Sequence, residues 1–126
     1  MIEHTFSFDI HYKIERDGER FESALYSNSL TKHIGEITGS IARENGRNIY
    51  QIESSDIDDG YRGVGLGYKF YIETIRFSFE RGADEFRSSE VINEMSTGCW
   101  EKLMRENYNV EKTKKYYVVK REKNII

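Results

Sequence analysis

Along the first half of the chain, apolar residues alternate with polar ones. Phe6, Phe8, Ile10, Tyr12 and Ile14 occupy every second position after His4, the spacing of a half-buried strand. Asp17-Gly18 is a hairpin turn signal, and Phe21 to Tyr26 reads as the returning strand. Ile34 to Ile41 follows as a third strand, weakened by its glycines. Asn45-Gly46 then turns the chain into a fourth, Ile49 to Ile57. This order predicts an antiparallel meander.

The period then changes. Tyr68, Ile72, Ile75 and Phe79 fall at i, i+4, i+7 and i+11, one stripe of an amphipathic helix, and Leu66, Phe70 and Phe77 widen its apolar face. A helix over Leu66–Arg81 packed on a sheet is expected, with Gly82 suited to end it. Asp84 to Ser89 reads as a short strand. A second helix, Asn93 to Glu106, carries Met95, Cys99 and Leu103 along one face. Tyr108 to Val110 and Tyr116 to Lys120 are two closing strands.

Composition narrows the class. A chain of 126 residues fits one domain, 1–126, with one core. Its 9 Tyr and 7 Phe are too many for a disordered chain. A net charge of −3 argues against a protein built chiefly to grip nucleic acid. The basic stretch Glu111 to Asn124 reads as an edge strand with solvated lysines. The single Cys99 excludes an internal disulfide and a cysteine-based zinc site, and points to a reducing compartment. His4 and His11 differ in strand parity and His33 is remote, so no metal site is expected. No basic stretch precedes an apolar run in MIEHTFSFDI, and no segment approaches the ~18 apolar residues of a membrane span. A cytoplasmic protein is expected.

The chemistry centres on Tyr61-Arg62-Gly63-Val64-Gly65-Leu66-Gly67, between a strand and a helix. The first N–H groups of a helix have no partner within it, and the helix dipole adds positive charge there. Glycines let the main chain approach an anion closely. Each dipole–charge contact contributes ~0.3–1 kcal/mol. A P-loop would end in Gly-Lys-Ser/Thr, whereas this loop ends Gly67-Tyr68-Lys69. A dinucleotide fold needs G-x-G-x-x-G and a doubly wound sheet, and neither is present.

The loop resembles the pyrophosphate loop R/Q-x-x-G-x-G/A of the Gcn5-related N-acetyltransferase (GNAT) superfamily. Ile57-Asp58-Asp59 sits where that family's fourth strand ends. Arg81-Gly82-Ala83-Asp84 matches the run before its fifth strand. Asn93 followed by Trp100-Glu101-Lys102-Leu103 resembles N-x-x-A-x-x-x-Y-E-K-L, and Tyr108-x-Val110 resembles the start of the next strand. The small size and the Lys/Asn/Ile-rich, proline-free sequence resemble phage-encoded members. The resemblance implies an α+β, GNAT-like fold: a mixed, mainly antiparallel twisted sheet with two main helices packed on it. The strand pattern before Asn48 implies that the family's N-terminal helices are reduced or absent.

The resemblance also implies acetyl-CoA or another acyl-CoA as cofactor. Arg62, Gly63, Val64, Gly65, Leu66, Gly67 and Tyr68 would hold its pyrophosphate, while Ile57 and Asn93 would meet the pantetheine arm. The implied reaction is acyl transfer to an amine acceptor, a small molecule or a protein, and a homodimer is compatible with it. Glu53 is the candidate base, with Asp56 second; simple alternation puts Glu53 and Ser55 on one face, Ser54 and Asp56 on the other. Trp100 stands where the family often has a tyrosine acting as general acid, and Cys99 and Tyr108 are the nearby replacement donors. This departure keeps open the alternative of a catalytically silent CoA-binding or protein-interaction module.

Overall fold

The alternating half of the chain folds into five strands before any helix. The computed structural model describes residues 2–5, 10–27, 32–57, 65–90, 94–106 and 108–121. β1 (Ile2–Thr5), β2 (Ile10–Asp17), β3 (Arg20–Ser27), β4 (Lys32–Glu44) and β5 (Arg47–Ile57) form an antiparallel meander. The single run expected from His4 to Ile14 is in fact two strands, with Thr5 opposite His11. Alternation is the same on both arms of a hairpin, so the pattern carried no mark of this reversal; Phe6 and Phe8 lie outside the described residues. The β2–β3 turn has Gly18 at φ 61, and the β4–β5 turn has Asn45 and Gly46 at φ 52 and 78, as two-residue hairpins require.

After β5 come α1 (Leu66–Glu80), β6 (Glu85–Arg87), α2 (Glu94–Arg105), β7 (Val110–Lys112) and β8 (Tyr117–Lys120). The eight strands make one sheet in the order β1-β2-β3-β4-β5-β6-β8-β7. Only β5 and β6 run parallel, joined through α1. Of the stretch Glu111 to Asn124 expected as an edge strand, the start lies in β7, which does form the edge, whereas β8 is an inner strand. Its three buried residues, Tyr117, Val118 and Val119, account for the inner position.

Helix α1 ends as expected at Gly82, φ 98. The Ala83 N–H donates to the Ser78 carbonyl and the Gly82 N–H to that of Phe79, a Schellman motif. Both helices pack on the sheet face that carries Phe21, Tyr50 and Phe86: Phe77 meets Phe21 edge-on, and Tyr71 and Trp100 both touch Phe86. The stripe Tyr68, Ile72, Ile75 and Phe79 is not the core face of α1. Leu66, Phe70, Tyr71, Thr74, Phe77 and Ser78 are buried there, and of the stripe only Ile75 is. The small polar residues Thr74 and Ser78 are accepted in the core because each hydroxyl donates to a carbonyl one turn back. No helix precedes α1 among the described residues, which leaves the opposite sheet face, with Arg20, Glu22 and Glu53, uncovered by one.

Candidate functional site

The parallel pair β5–β6 is short. Ile49, Tyr50 and Gln51 face Glu85, Phe86 and Arg87, and there the pairing stops, although β5 continues to Ile57. Polar ties hold the base of this fork. The Asp84 N–H donates to the Asn48 carbonyl at 2.7 Å, Asn48 N–H to the Asp84 carboxylate at 2.9 Å, and Gln51 Nε2 to the Ser88 carbonyl at 2.7 Å. Beyond it the Ser88 N–H donates to Tyr117 on β8 instead, so the two parallel strands part.

The helix that follows β5, α1, reaches the fork through Tyr71, which bonds Ser55. Gly65 is its N-cap, with φ 80 and ψ 0, and no side chain caps the helix. The first helical bond runs from the Lys69 N–H to the Gly65 carbonyl, so the N–H groups of Leu66, Gly67 and Tyr68 have no acceptor within the helix. The first turn holds no acidic side chain, and a Cβ placed on Gly65 would meet nothing within 4 Å. This is an open, positively polarised helix end suited to an anion. Arg62, Gly63, Val64 and Asn93 lie outside the described residues. Leu66 is buried in the core, Gly67 half-buried in the first turn, and Tyr68 half-buried beneath Lys102, whose Nζ sits 4.4 Å above the ring. Burial, with Tyr108 and Glu106 beside it, raises the Tyr68 phenol above its ordinary value. The Ile57 side chain is buried opposite Gly35 and belongs to the core.

Strand β5 carries a β-bulge that alternation could not reveal. Thr38 pairs with Ser54 and Gly39 with Ile52, which leaves Glu53 as the extra residue. Glu53 and Ser54 are consequently both exposed on the uncovered face, while Ser55 turns to the helices. The expectation that Glu53 and Ser55 share a face is thus corrected. Glu53 lies 3.6 Å from Arg20, and Ser54 shares a hydrogen bond with Thr38 at 2.7 Å. Asp56 is exposed, directly across from Glu36.

On the helical face the fork holds a cluster of hydroxyls that no sequence motif announced. Ser55 from β5 bonds Tyr71 Oη of α1 at 2.8 Å and Ser96 of α2 at 2.7 Å, and Tyr71 donates to Ser96 at 3.0 Å. Burial pushes the Tyr71 phenol up to about 12, against a smaller downward pull from the serine hydrogen bonds. Nothing local in the sequence marks these residues, which lie on three elements. Trp100 is a core residue: fully buried, stacked on Tyr117 at 5.7 Å and edge-on to Tyr71 at 5.9 Å. The Cys99 thiol is buried and pushed up to about 11 by that burial, which keeps it protonated at neutral pH. Tyr108 is exposed and lies beside Tyr68 near the start of α1, among the residues that line a hollow along that helix. Among the described residues no group of His, Cys, Asp and Glu could hold a metal ion, and no helix is long and apolar enough to cross a membrane.

No protein-family model matches the sequence, and no curated protein matches it significantly. Solved structures do. A chain of the NatC complex bound to a Gag peptide and CoA superposes with a TM-score of 0.63 at 17% identity, covering 80% of this chain and 71% of that one. An aminoglycoside acetyltransferase from an uncultured soil metagenomic sample, in complex with sisomicin, gives 0.60 at 14%, covering 78% and 63%. The ribosomal-protein-S5-alanine acetyltransferase of Vibrio fischeri gives 0.60 at 15%, covering 81% and 60%. This chain thus spans less than two thirds of the length of the latter two. At these identities the likeness is one of fold.

Proposed function

Because the chain has the fold of the GNAT acetyltransferases, we propose that it binds an acyl-CoA and transfers its acetyl or other acyl group to an amine, carried by a small molecule or a protein. The observation that carries this reading is the fork that opens beyond Gln51, followed in the chain by the uncapped first turn of α1. A CoA pyrophosphate fits that turn: it carries no competing carboxylate, and the space beside Gly65 is open. The amides of residues 65–68, with Arg62, Gly63 and Val64, would hold it. The pantetheine arm would enter between β5 and β6, near Ile57 and Asn93.

Acyl transfer needs a neutral amine, a polarised carbonyl and a leaving thiolate. A lysine-like amine ordinarily holds its proton up to a pH of about 10.4, so a base on the acceptor side assists. Glu53, turned by the bulge to the uncovered face, takes that role, and the acceptor approaches from there. Trp100 has no acidic proton to give, but a thiolate of pKa about 8.5 is already a fair leaving group. The Tyr71 phenol, at about 12, would not surrender its proton to such a thiolate, and its hydroxyl ties β5 to the two helices. The reading takes 1–126 as one domain acting in the cytoplasm, with a homodimer as an allowed assembly.

The burial of Trp100 within the core favours one other reading, a CoA-binding or protein-interaction module without turnover. Calorimetric titration with acetyl-CoA, alongside turnover of a panel of amines, separates the two. Saturable binding with turnover is the expected outcome. Binding without turnover leaves the silent module, and no binding rejects both.

A further inference from the structure

Ile72, Ile75 and Phe79 of the stripe along the side of α1 face a second hollow, toward the C-terminal half of the helix. A cavity of about 410 Å³ lies between α1 and the end of β8, within the ~300–1,000 Å³ of ligand pockets. Ile72, Ile75 and Phe79 form one wall and Val119 the other, with Tyr108 among the lining residues. Tyr108 is 39% exposed, one of two large apolar side chains left exposed among the described residues. Apolar surface at a hollow of this depth is what an apolar ligand gains by covering, at ~25 cal/mol per Å².

The charges around it have one sign in excess. Arg76, Lys120 and Arg121 line the cavity against Glu80 alone. Arg76 is held by Glu73 at 3.1 Å and Lys120 by Glu111 at 3.2 Å. Arg121 has no ion pair among the described residues, and its guanidinium suits a carboxylate in two-point contact. The basic C-terminal stretch that reads as a solvated edge therefore places two of its cations at an apolar hollow.

We propose that this flank of α1 binds a small amphiphile with an aliphatic body and one carboxylate head, the body against Ile72, Phe79 and Val119 and the head on Arg121. The site is separate from the fork and binds whether or not acyl-CoA is present. Decanoate is the probe, titrated into the full chain by calorimetry, with and without saturating acetyl-CoA. One-to-one binding, unchanged by acetyl-CoA, is expected; decanol, which lacks the charge, binds at least about tenfold more weakly. Arg121→Gln, at an exposed position, weakens decanoate by about tenfold, and Ile72→Glu abolishes its binding while the circular dichroism stays native. The proposal is overturned by an absence of saturable binding, by displacement with acetyl-CoA, or by undiminished affinity in Arg121→Gln.

Discussion

Gly65 bears on stability and, in the proposed function, on binding. Its φ of 80 is a conformation that side chains tolerate poorly, and the space its Cβ would enter is the space in front of the helix end. Gly65→Ala is expected to cost ~1 kcal/mol in stability from the backbone alone. Gly65→Glu adds bulk and a negative charge where a pyrophosphate would lie, and is expected to abolish acetyl-CoA binding. Calorimetry on the two variants checks this, and retained affinity in Gly65→Glu rejects the loop assignment. Glu53 and Tyr71 separate in the same way. Glu53→Gln should lower kcat/KM by ~10²-fold with acetyl-CoA affinity unchanged, since the residue sits on the acceptor face. Tyr71→Phe removes two hydrogen bonds but leaves Ser55 and Ser96 bonded to each other, for a loss of ~1 kcal/mol seen as a lower Tm. An unchanged Tm would show that the hydroxyl cluster does not hold the two helices to β5.

Between β4 and β5 the bulge depends on a close approach. A Cβ on Gly39 would collide with the Gln51 carbonyl and stand 2.7 Å from Cε1 of the Tyr50 ring, which stacks on Phe86 at 4.8 Å. Neither neighbour has room to move, because Tyr50 is fully buried and Gln51 is tied to Ser88. Gly39→Ala is therefore expected to destabilise the protein by ~1–3 kcal/mol and to disturb the fork. Denaturant unfolding measures the first effect and acetyl-CoA affinity the second; a variant of native stability would mean that β4 can shift away. The same pair explains why alternation misplaced Glu53. A period of two holds only while each residue faces one partner, and the extra residue at 53 resets it.

Across the whole molecule, buried acids set the response to pH. Burial raises Cys99 from 9.0 to about 11, and Tyr12 and Tyr71 from 10.0 to about 12; for Tyr12 the Glu73 carboxylate adds to it. Above pH 9 the unfolded chain releases protons that the native state keeps, so the stability these groups supply is complete below that pH and is lost as pH rises toward 12. The urea midpoint should fall steadily from pH 9 upward, and a flat midpoint between pH 9 and 11 would contradict the burial of Cys99 and Tyr71.

The order of strands from Phe21 to Ile57, both helices to within a residue or two, the turns at Gly18, Gly46 and Gly82, and the strand–glycine–helix order around Gly65 are set by the sequence alone. Each is written locally, in a period of two or 3.6 or in a residue that tolerates positive φ. The structure alone decided which side of α1 is buried, since Tyr68, Ile72, Ile75 and Phe79 have the same helical spacing as a core stripe. It alone inserted β8 between β6 and β7, parted β5 from β6 beyond Gln51, and joined Ser55, Tyr71 and Ser96. Those features depend on contacts between residues distant in the chain, where packing and hydrogen bonding select one of several arrangements that the local pattern leaves equal.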